Sequence, residues 1–488
     1  MGSPEPPLRH LREHGQDGTV ALMPLSPEAL TLAPILLLVI VLWVTEALPL
    51  AVTSLLGAVL CVVAGVAPAK EVFRPFADPL IFLFIGSFLL AEGIRQHRLD
   101  RRLAYSVLSV PWIGERPTRI LAAVALVSVL ISAFISNTVT AAMMMAIVTG
   151  ILGAVEAASR EHGKAPAQTF ATSLFLCVAF AASIGGLATP IGTPTNLIGL
   201  GFIRDQVGVQ VSFLGWCAIG IPLVAVMATI AVAVLARMFP AGVERLEGVG
   251  GYVTAERRRL GPWTVGQKSV AAAFTLTVAL WILPGVLLLL LGASHPLCVW
   301  LGKRLPEGVV ALIGAILLFL LPGDFGEGSR RRALDWRETR IDWDIVLLYG
   351  GGMALGELCF STGLASAIGG SITGWIPAGD WSGPVLLAVA ALVAAVTSEF
   401  TSNTASANMV VPVVIALARA TGGDPLMAAL SATFASSLGF MMPVSTPCNA
   451  IVYGSGRVPL RAMMASGAVI DVAGLITVTA AMLLASRF

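Results

Sequence analysis

One tripeptide occurs twice in this chain, as Ser136-Asn137-Thr138 and as Ser402-Asn403-Thr404, each time inside otherwise apolar sequence. Hydroxyl and amide groups buried among apolar side chains must find partners. Ser, Asn and Thr offer neutral oxygens and N–H donors but no fixed charge, which is chemistry suited to a hard cation or to an anion held by dipoles. A second pattern accompanies the first. TPIGTPTN (189–196) and PVSTPCN (443–449) each place two prolines in an apolar run, beside Thr and Asn. Proline removes a backbone donor and disrupts the helix, so carbonyls and amides are released there. A Ser or Thr can also simply bond back to its own helix, and a proline can simply kink one. The duplication of both patterns favours a binding segment over either.

Charge is scarce around these residues. No Asp, Glu, Lys, Arg or His lies between 120 and 155 or between 426 and 456. Glu399, beside the second tripeptide, is the exception; it is either a functional carboxylate or an acceptor that holds the turn. An anion bound here has no arginine clamp. It would rely on helix N-termini, amide and hydroxyl donors, and co-bound cations. Cation coupling is therefore expected on electrostatic grounds.

The elements that must position these groups are membrane spans. Of 488 residues, 57% are hydrophobic and 12% charged, about half the charged share of a soluble domain. A lipid bilayer must cover much of the surface. Apolar runs long enough to cross a hydrocarbon core of about 30 Å fall near 29–46, 51–67, 78–95, 168–206, 211–237, 266–292, 307–322, 343–360, 426–455 and 461–486. The runs 168–206 and 426–455 exceed one span and are broken by Pro and Gly. The stretches 119–153 and 383–419 carry the tripeptides at their centres and read as re-entrant hairpins. The polar start of the chain is expected to hold no cleavable signal sequence, because the first apolar run, from near Leu30, is too long for one.

The two halves align in three blocks, in the same order. LFIGSFLLAEGIRQHRLDRRL (83–103) aligns with 348–368 without gaps, pairing Gly86 with Gly351 and Glu92 with Glu357. FISNTVTAA (134–142) matches FTSNTASAN (400–408), and ATPIGTPTNLI (188–198) matches MMPVSTPCNAI (441–451). Glu92 and Glu357, near span ends, are expected to be structural. Basic residues concentrate in the polar stretches 96–118, 238–265 and 323–342, including Arg257 to Arg259 and Arg330 to Arg332. Placing these loops in the cytoplasm puts both chain ends outside and gives the halves opposite orientation. The first hairpin then opens from inside and the second from outside. Inverted repeats with broken helices and a site at the midplane are a secondary-transporter signature.

The expected fold is an all-α polytopic membrane protein of two inverted-topology repeats, each with a re-entrant hairpin and a broken transmembrane helix. The organisation is a polar N-terminal segment (1–28), a first repeat (29–237), a cytoplasmic linker (238–265) and a second repeat (266–488). A net charge of +2 gives no sign of a nucleic-acid partner. The six cysteines and five histidines are dispersed, without metal-ligand spacing, and no nucleophile–base pair suggests an enzyme. A proton antiporter would need a carboxylate relay, and this site offers only Glu399.

The chain resembles the divalent anion:sodium symporter family, the INDY-like dicarboxylate transporters. The motifs that carry the resemblance are WVTEALPLAVTSLL (43–56), both Ser-Asn-Thr segments, EFTSNTASAN (399–408), ATPIGTPTNLI and MMPVSTPCNAIVYG (441–454). The resemblance runs from about Pro27 to the C-terminus. It implies a homodimer, an elevator-like movement of a transport domain against a fixed scaffold, and Na+ as coupling ion. By position it implies one sodium site of Ser132, Ser136, Asn137 and Gly192, and another of Ser398, Thr401, Asn403 and Ser445. The carboxylates of a small dianionic substrate would meet Asn137, Thr138, Thr193, Pro194, Asn403, Thr404, Thr446 and Pro447. Ser132 and Ser398 lie four residues before the tripeptides, one helical turn away, so their hydroxyls can face the tip. The chain departs from the family in two places. The extra helix usual before WVTEALPL is replaced by LRHLREHGQDG. Thr195 and Cys448 stand where a second proline is common. The function implied is secondary transport of C4-dicarboxylates such as succinate, malate or fumarate, coupled to sodium in a multi-pass protein of the bacterial cell membrane. A dicarboxylate exchanger, or a sulfate or tricarboxylate carrier of the same fold, stands as the alternative.

Overall fold

A computed structural model describes residues 25–162, 168–292, 294–324, 332–375 and 383–487. Most of the polar N-terminal segment, together with Arg330 and Arg331, lies outside the described residues. The described chain is helical, and its only β contact is an isolated bridge between Pro322 and Arg332.

The helices follow in chain order. The first half holds α1 (Pro27–Thr45), α2 (Leu50–Val63), α3 (Ala69–Val72), α4 (Pro79–Gln96), α5 (Leu99–Leu108), α6 (Pro117–Ser132), α7 (Asn137–His162), α8 (Gln168–Gly185), α9 (Pro194–Phe202) and α10 (Phe213–Met238). Then come α11 (Val249–Arg259), α12 (Val265–Leu291), α13 (Pro296–Arg304) and α14 (Glu307–Leu320). The chain closes with α15 (Trp343–Ser361), α16 (Leu364–Trp375), α17 (Pro384–Phe400), α18 (Asn403–Thr421), α19 (Pro425–Ala435), α20 (Pro447–Gly454) and α21 (Leu460–Ala485). Among the described residues, eight helices are long and apolar enough to cross a membrane: α1, α4, α7, α10, α12, α15, α18 and α21.

Both stretches expected as hairpins are helix pairs. In one, α6 and α7 pack together around the turn at 133–136, and in the other α17 and α18 pack around Thr401 and Ser402. Both runs expected to break do break. Helix α8 stops at Gly185 and α9 restarts at Pro194, while α19 stops at Ala435 and α20 restarts at Pro447. Proline at the first helical position loses no intrahelical hydrogen bond and has its φ already set, so each Thr-Pro pair starts a helix rather than kinking one.

Packing repeats between the halves. Each pair sits on the helix before its own break, α6 and α7 on α8, α17 and α18 on α19. The pairs also cross over. Helix α7 packs on α20 and α18 packs on α9, so the helix leaving each tip meets the helix leaving the other half's break. The aligned glycines Gly86 and Gly351 explain two further contacts. A Cβ at Gly86 would come within 2.6 Å of the Ala311 backbone, and one at Gly351 within 2.5 Å of Ser54 Cβ. Absence of a side chain lets α4 meet α14 and α15 meet α2.

Two stretches expected as polar loops contain helices. Residues 96–118 include α5, which buries Ala104, Tyr105 and Leu108. The linker 238–265 includes α11, which buries Val249 and Val253 and packs on α5 and α7. Its C-terminal arginines, Arg257 to Arg259, lie where the helix dipole favours positive charge. A few apolar anchors in largely polar sequence are too weak a periodic signal to read as helices.

Candidate functional site: paired tips and breaks

The first tip is built by Ser132 at the end of α6 and Asn137 at the start of α7. The Ser132 hydroxyl and the Asn137 side-chain amide are 2.7 Å apart. Around the same amide atom lie the Ala182 carbonyl oxygen at 3.2 Å and the Gly192 carbonyl oxygen at 3.3 Å. With the amide oxygen in that position, an oxygen faces oxygens. With the amide turned over, its nitrogen donates to Ser132, Ala182 and Gly192. An oxygen cluster of this kind is satisfied in two ways, by an amide flip or by a bound cation, and hard cations take oxygen ligands.

The second tip has the same core. The Ser398 hydroxyl donates to Asn403 Oδ1 at 2.8 Å and lies 2.7 Å from the Ser436 carbonyl oxygen. From the break, the Ser445 hydroxyl donates to the Ser398 carbonyl at 2.8 Å. Ser398 and Ser445 are fully buried. Of the eight residues expected as cation ligands, these bonds bring together Ser132, Asn137 and Gly192 in one half, and Ser398, Asn403 and Ser445 in the other. Thr401 differs, because its hydroxyl turns back to the Thr397 carbonyl at 2.8 Å. A hydroxyl at the end of a helix often finds its own carbonyl i−4 first. Ser136 is half-buried between Ile135 and Asn137.

The eight residues expected to meet substrate occupy four helix N-termini. Asn137-Thr138 and Asn403-Thr404 open α7 and α18, while Thr193-Pro194 and Thr446-Pro447 open α9 and α20. Thr446 caps its helix by accepting from the Asn449 N–H at 3.1 Å. Thr193 makes no such cap, and its hydroxyl is 3.5 Å from that of Thr195. Ser402 caps Ala405 N at 3.2 Å and lies 3.2 Å from the Thr404 hydroxyl. Asn137, Thr138, Asn403, Thr404 and Pro194 are half-buried and Pro447 is exposed, whereas Thr193 and Thr446 are buried. Each N-terminus carries a partial positive charge and unpaired N–H groups.

The tips are strapped to the breaks in opposite senses. In the first half the Thr189 hydroxyl, in the break, donates to the Ala133 carbonyl, in the tip. At the aligned positions of the second half, Glu399 in the tip accepts from the N–H groups of Met441 (2.9 Å) and Met442 (3.1 Å) in the break. Glu399 therefore holds the turn. It also has a carboxyl neighbour that sequence reasoning did not supply. Asp471, near the middle of α21, faces Glu399 and the Phe440 N–H, yet neither of its oxygens makes a hydrogen bond of ordinary geometry. A lone acid in an apolar run was the signal available for it. Elsewhere, Glu92 bonds Arg95 and Gln96, and Glu357 pairs with Arg74, both structural roles. Trp216 of α10 braces the first break from behind, donating to the Leu187 carbonyl at 3.0 Å and stacking on Phe434.

A model of the family described as the sodium:sulfate symporter transmembrane region matches residues 19–486. The chain is 32% identical over 434 residues to the sodium-dependent dicarboxylate transporter SdcS of Staphylococcus saprophyticus, covering 87% of this chain and 80% of that protein. SdcS of Staphylococcus aureus is 32% identical over 431 residues, with the same coverage. Among solved structures, the YdaH transporter of Alcanivorax borkumensis superposes with a TM-score of 0.54 at 15% identity, over 85% of this chain and 87% of that one. MtrF of Neisseria gonorrhoeae superposes with a TM-score of 0.56 at 13% identity, over 92% and 94%. At these identities the two structures speak for the fold.

Proposed function

The chain belongs to the divalent anion:sodium symporter family, and from that premise we propose that it carries C4-dicarboxylates, or a related divalent anion, by sodium-coupled symport. It is a multi-pass integral membrane protein, placed by this reading in the bacterial cell membrane. The curated relatives are sodium-dependent dicarboxylate transporters by name. The family description names sulfate, which is also a compact dianion.

The observation that carries the reading is the oxygen cluster of Ser132, Asn137, Ala182 and Gly192, with its counterpart of Ser398, Asn403, Ser436 and Ser445. In this reading each cluster holds one Na+, with Ser136 completing the first shell and Thr401 joining the second once its hydroxyl leaves the Thr397 carbonyl. The cations supply the positive charge that the side chains lack. A dianion between the tips is then held by two cations, four helix N-termini and the side chains of Asn137, Thr138, Thr193, Asn403, Thr404 and Thr446, with Pro194 and Pro447 shaping the floor. Binding of cation and anion is mutually dependent because each neutralises the other in a low-dielectric site.

The reading extends to architecture. The two halves are inverted repeats, 29–237 and 266–488, joined by the linker 238–265, and α6–α7 and α17–α18 are re-entrant hairpins entering from opposite faces. The hairpins and broken helices form the moving part of an elevator in a homodimer. The reciprocal packing of α7 on α20 and α18 on α9 supports one body containing both tips. Uptake of labelled succinate into proteoliposomes under an inward sodium gradient tests the function. Uptake that needs internal dicarboxylate and ignores sodium would make the protein an exchanger instead.

A further inference from the structure

Two asparagines outside the expected ligand sets make the same pair of bonds. Asn196 Nδ2 donates to the Gly186 and Thr189 carbonyls, both at 2.8 Å. Asn449 Nδ2 donates to the Gly439 carbonyl at 2.9 Å and the Met442 carbonyl at 3.0 Å. In each half the acceptors lie ten and seven residues back along the chain. Both side chains are fully buried. Neither Oδ1 has a partner, so the two N–H bonds alone fix the amide. Turning it over would set an oxygen against two carbonyls.

Gly186 directly follows α8, whereas Thr189, Gly439 and Met442 lie within the loops of the two breaks, where no helix ladder pairs their carbonyls. Each asparagine is the third residue of the restarted helix, and it reaches back into the loop that separates it from the helix that stopped. The loop between is thereby closed. The first loop contains Gly192, whose carbonyl faces the Asn137 amide. The glycine at the far end of each clamp also leaves room for a side chain of its cluster. A Cβ at Gly186 would overlap the Asn137 amide, and one at Gly439 would overlap the Ser445 hydroxyl.

We infer that Asn196 and Asn449 are positioning residues, one for each cation cluster. They hold the broken segment at the distance from the tip that a cation requires, without touching cation or substrate. A plain helix-capping role would stabilise the fold and leave ion affinity alone. A positioning role makes ion affinity the property that moves. This inference rests on the sodium reading above.

The test is sodium-dependent succinate uptake by Asn196→Ala and Asn449→Ala in proteoliposomes, with melting temperature and size-exclusion profile recorded beside it. Each variant should raise the half-saturating sodium concentration by about tenfold or more, the scale on which groups that orient a metal's ligands act, while uptake at saturating sodium stays near wild type. Asn196→Ser and Asn449→Ser, which keep one donor and fill less volume than Asn, should fall between, and they serve where an alanine variant does not fold. Unchanged half-saturation, with uptake falling only in proportion to folded protein, overturns the inference. If wild-type uptake is independent of sodium, the reading under Proposed function falls on its own account. The clamp is then read from the succinate KM, which the variants raise if they position the break and leave unchanged if they do not.

Discussion

The hydroxyl of Ser398 donates to the Asn403 side-chain oxygen across 2.8 Å, and the Ser132 hydroxyl and the Asn137 side-chain amide lie 2.7 Å apart in the other half. One turn of helix separates serine from tip, so a residue in regular structure orients a residue in the turn. Replacing either serine by alanine removes both an oxygen and the group that aims the amide. Ser132→Ala and Ser398→Ala are expected to raise the half-saturating sodium concentration about tenfold each, equivalent to about 1.4 kcal/mol, with little change in melting temperature. Sodium titrations of initial uptake rate check this.

Glu399 spans from tip to break through two backbone N–H groups. An amide in its place offers one acceptor and turns a donor toward a donor. Glu399→Gln is expected to lower both stability and uptake, by about 1–3 kcal/mol for the N–H left without a partner. Differential scanning fluorimetry and uptake measured together should fall in step.

Asp471 presents a second buried carboxyl to Glu399 and the Phe440 N–H without a hydrogen bond of ordinary geometry. Buried polar groups left without partners cost about 1–3 kcal/mol. Asp471→Asn supplies an N–H donor toward Glu399 at nearly equal volume and is expected to raise the melting temperature. A lower melting temperature would contradict this and mean that the Asp471 carboxyl itself stabilises its contact with Glu399.

Gly439 leaves the space in which Ser445 reaches Ser398. Gly439→Ala is expected to abolish uptake, because the added methyl overlaps the Ser445 hydroxyl. At Gly454, where an added Cβ meets nothing within 4 Å, alanine should be tolerated. Comparing uptake of the two variants at matched expression checks the assignment of the break.

Much of this was legible in the sequence because chemistry and geometry coincided in a few short motifs. Pro194 and Pro447 announce the restart of a helix, and the tripeptides announce the turns, since no apolar stretch accommodates Ser-Asn-Thr without a reason. Ser445, Ser398 and Gly192 follow from spacing within the resemblance. What was not legible depends on contacts between distant segments. Ala182 and Ser436 contribute backbone carbonyls, which leave no trace in residue type. Thr401 turns to its own helix for want of a nearer acceptor, and spacing alone does not express that choice. Helices α5 and α11 interleave charged with apolar residues, and their apolar anchors make sense only against the helices they pack on, α6 and α11 for α5, α5 and α7 for α11. Asp471 pairs with Glu399 across 72 positions of sequence, so the lone acid was visible but its neighbour was not.

Two neutral oxygen clusters bind cations that make dianion binding possible. Labelled succinate uptake into proteoliposomes, with and without a sodium gradient, separates this from the alternatives for the wild type and for Asn137→Ala and Asn403→Ala. Uptake should require sodium in the wild type and vanish in both variants while they remain folded. Sodium-independent uptake in the wild type, or near-normal uptake in both variants, would overturn the cation clusters as the basis of dianion binding.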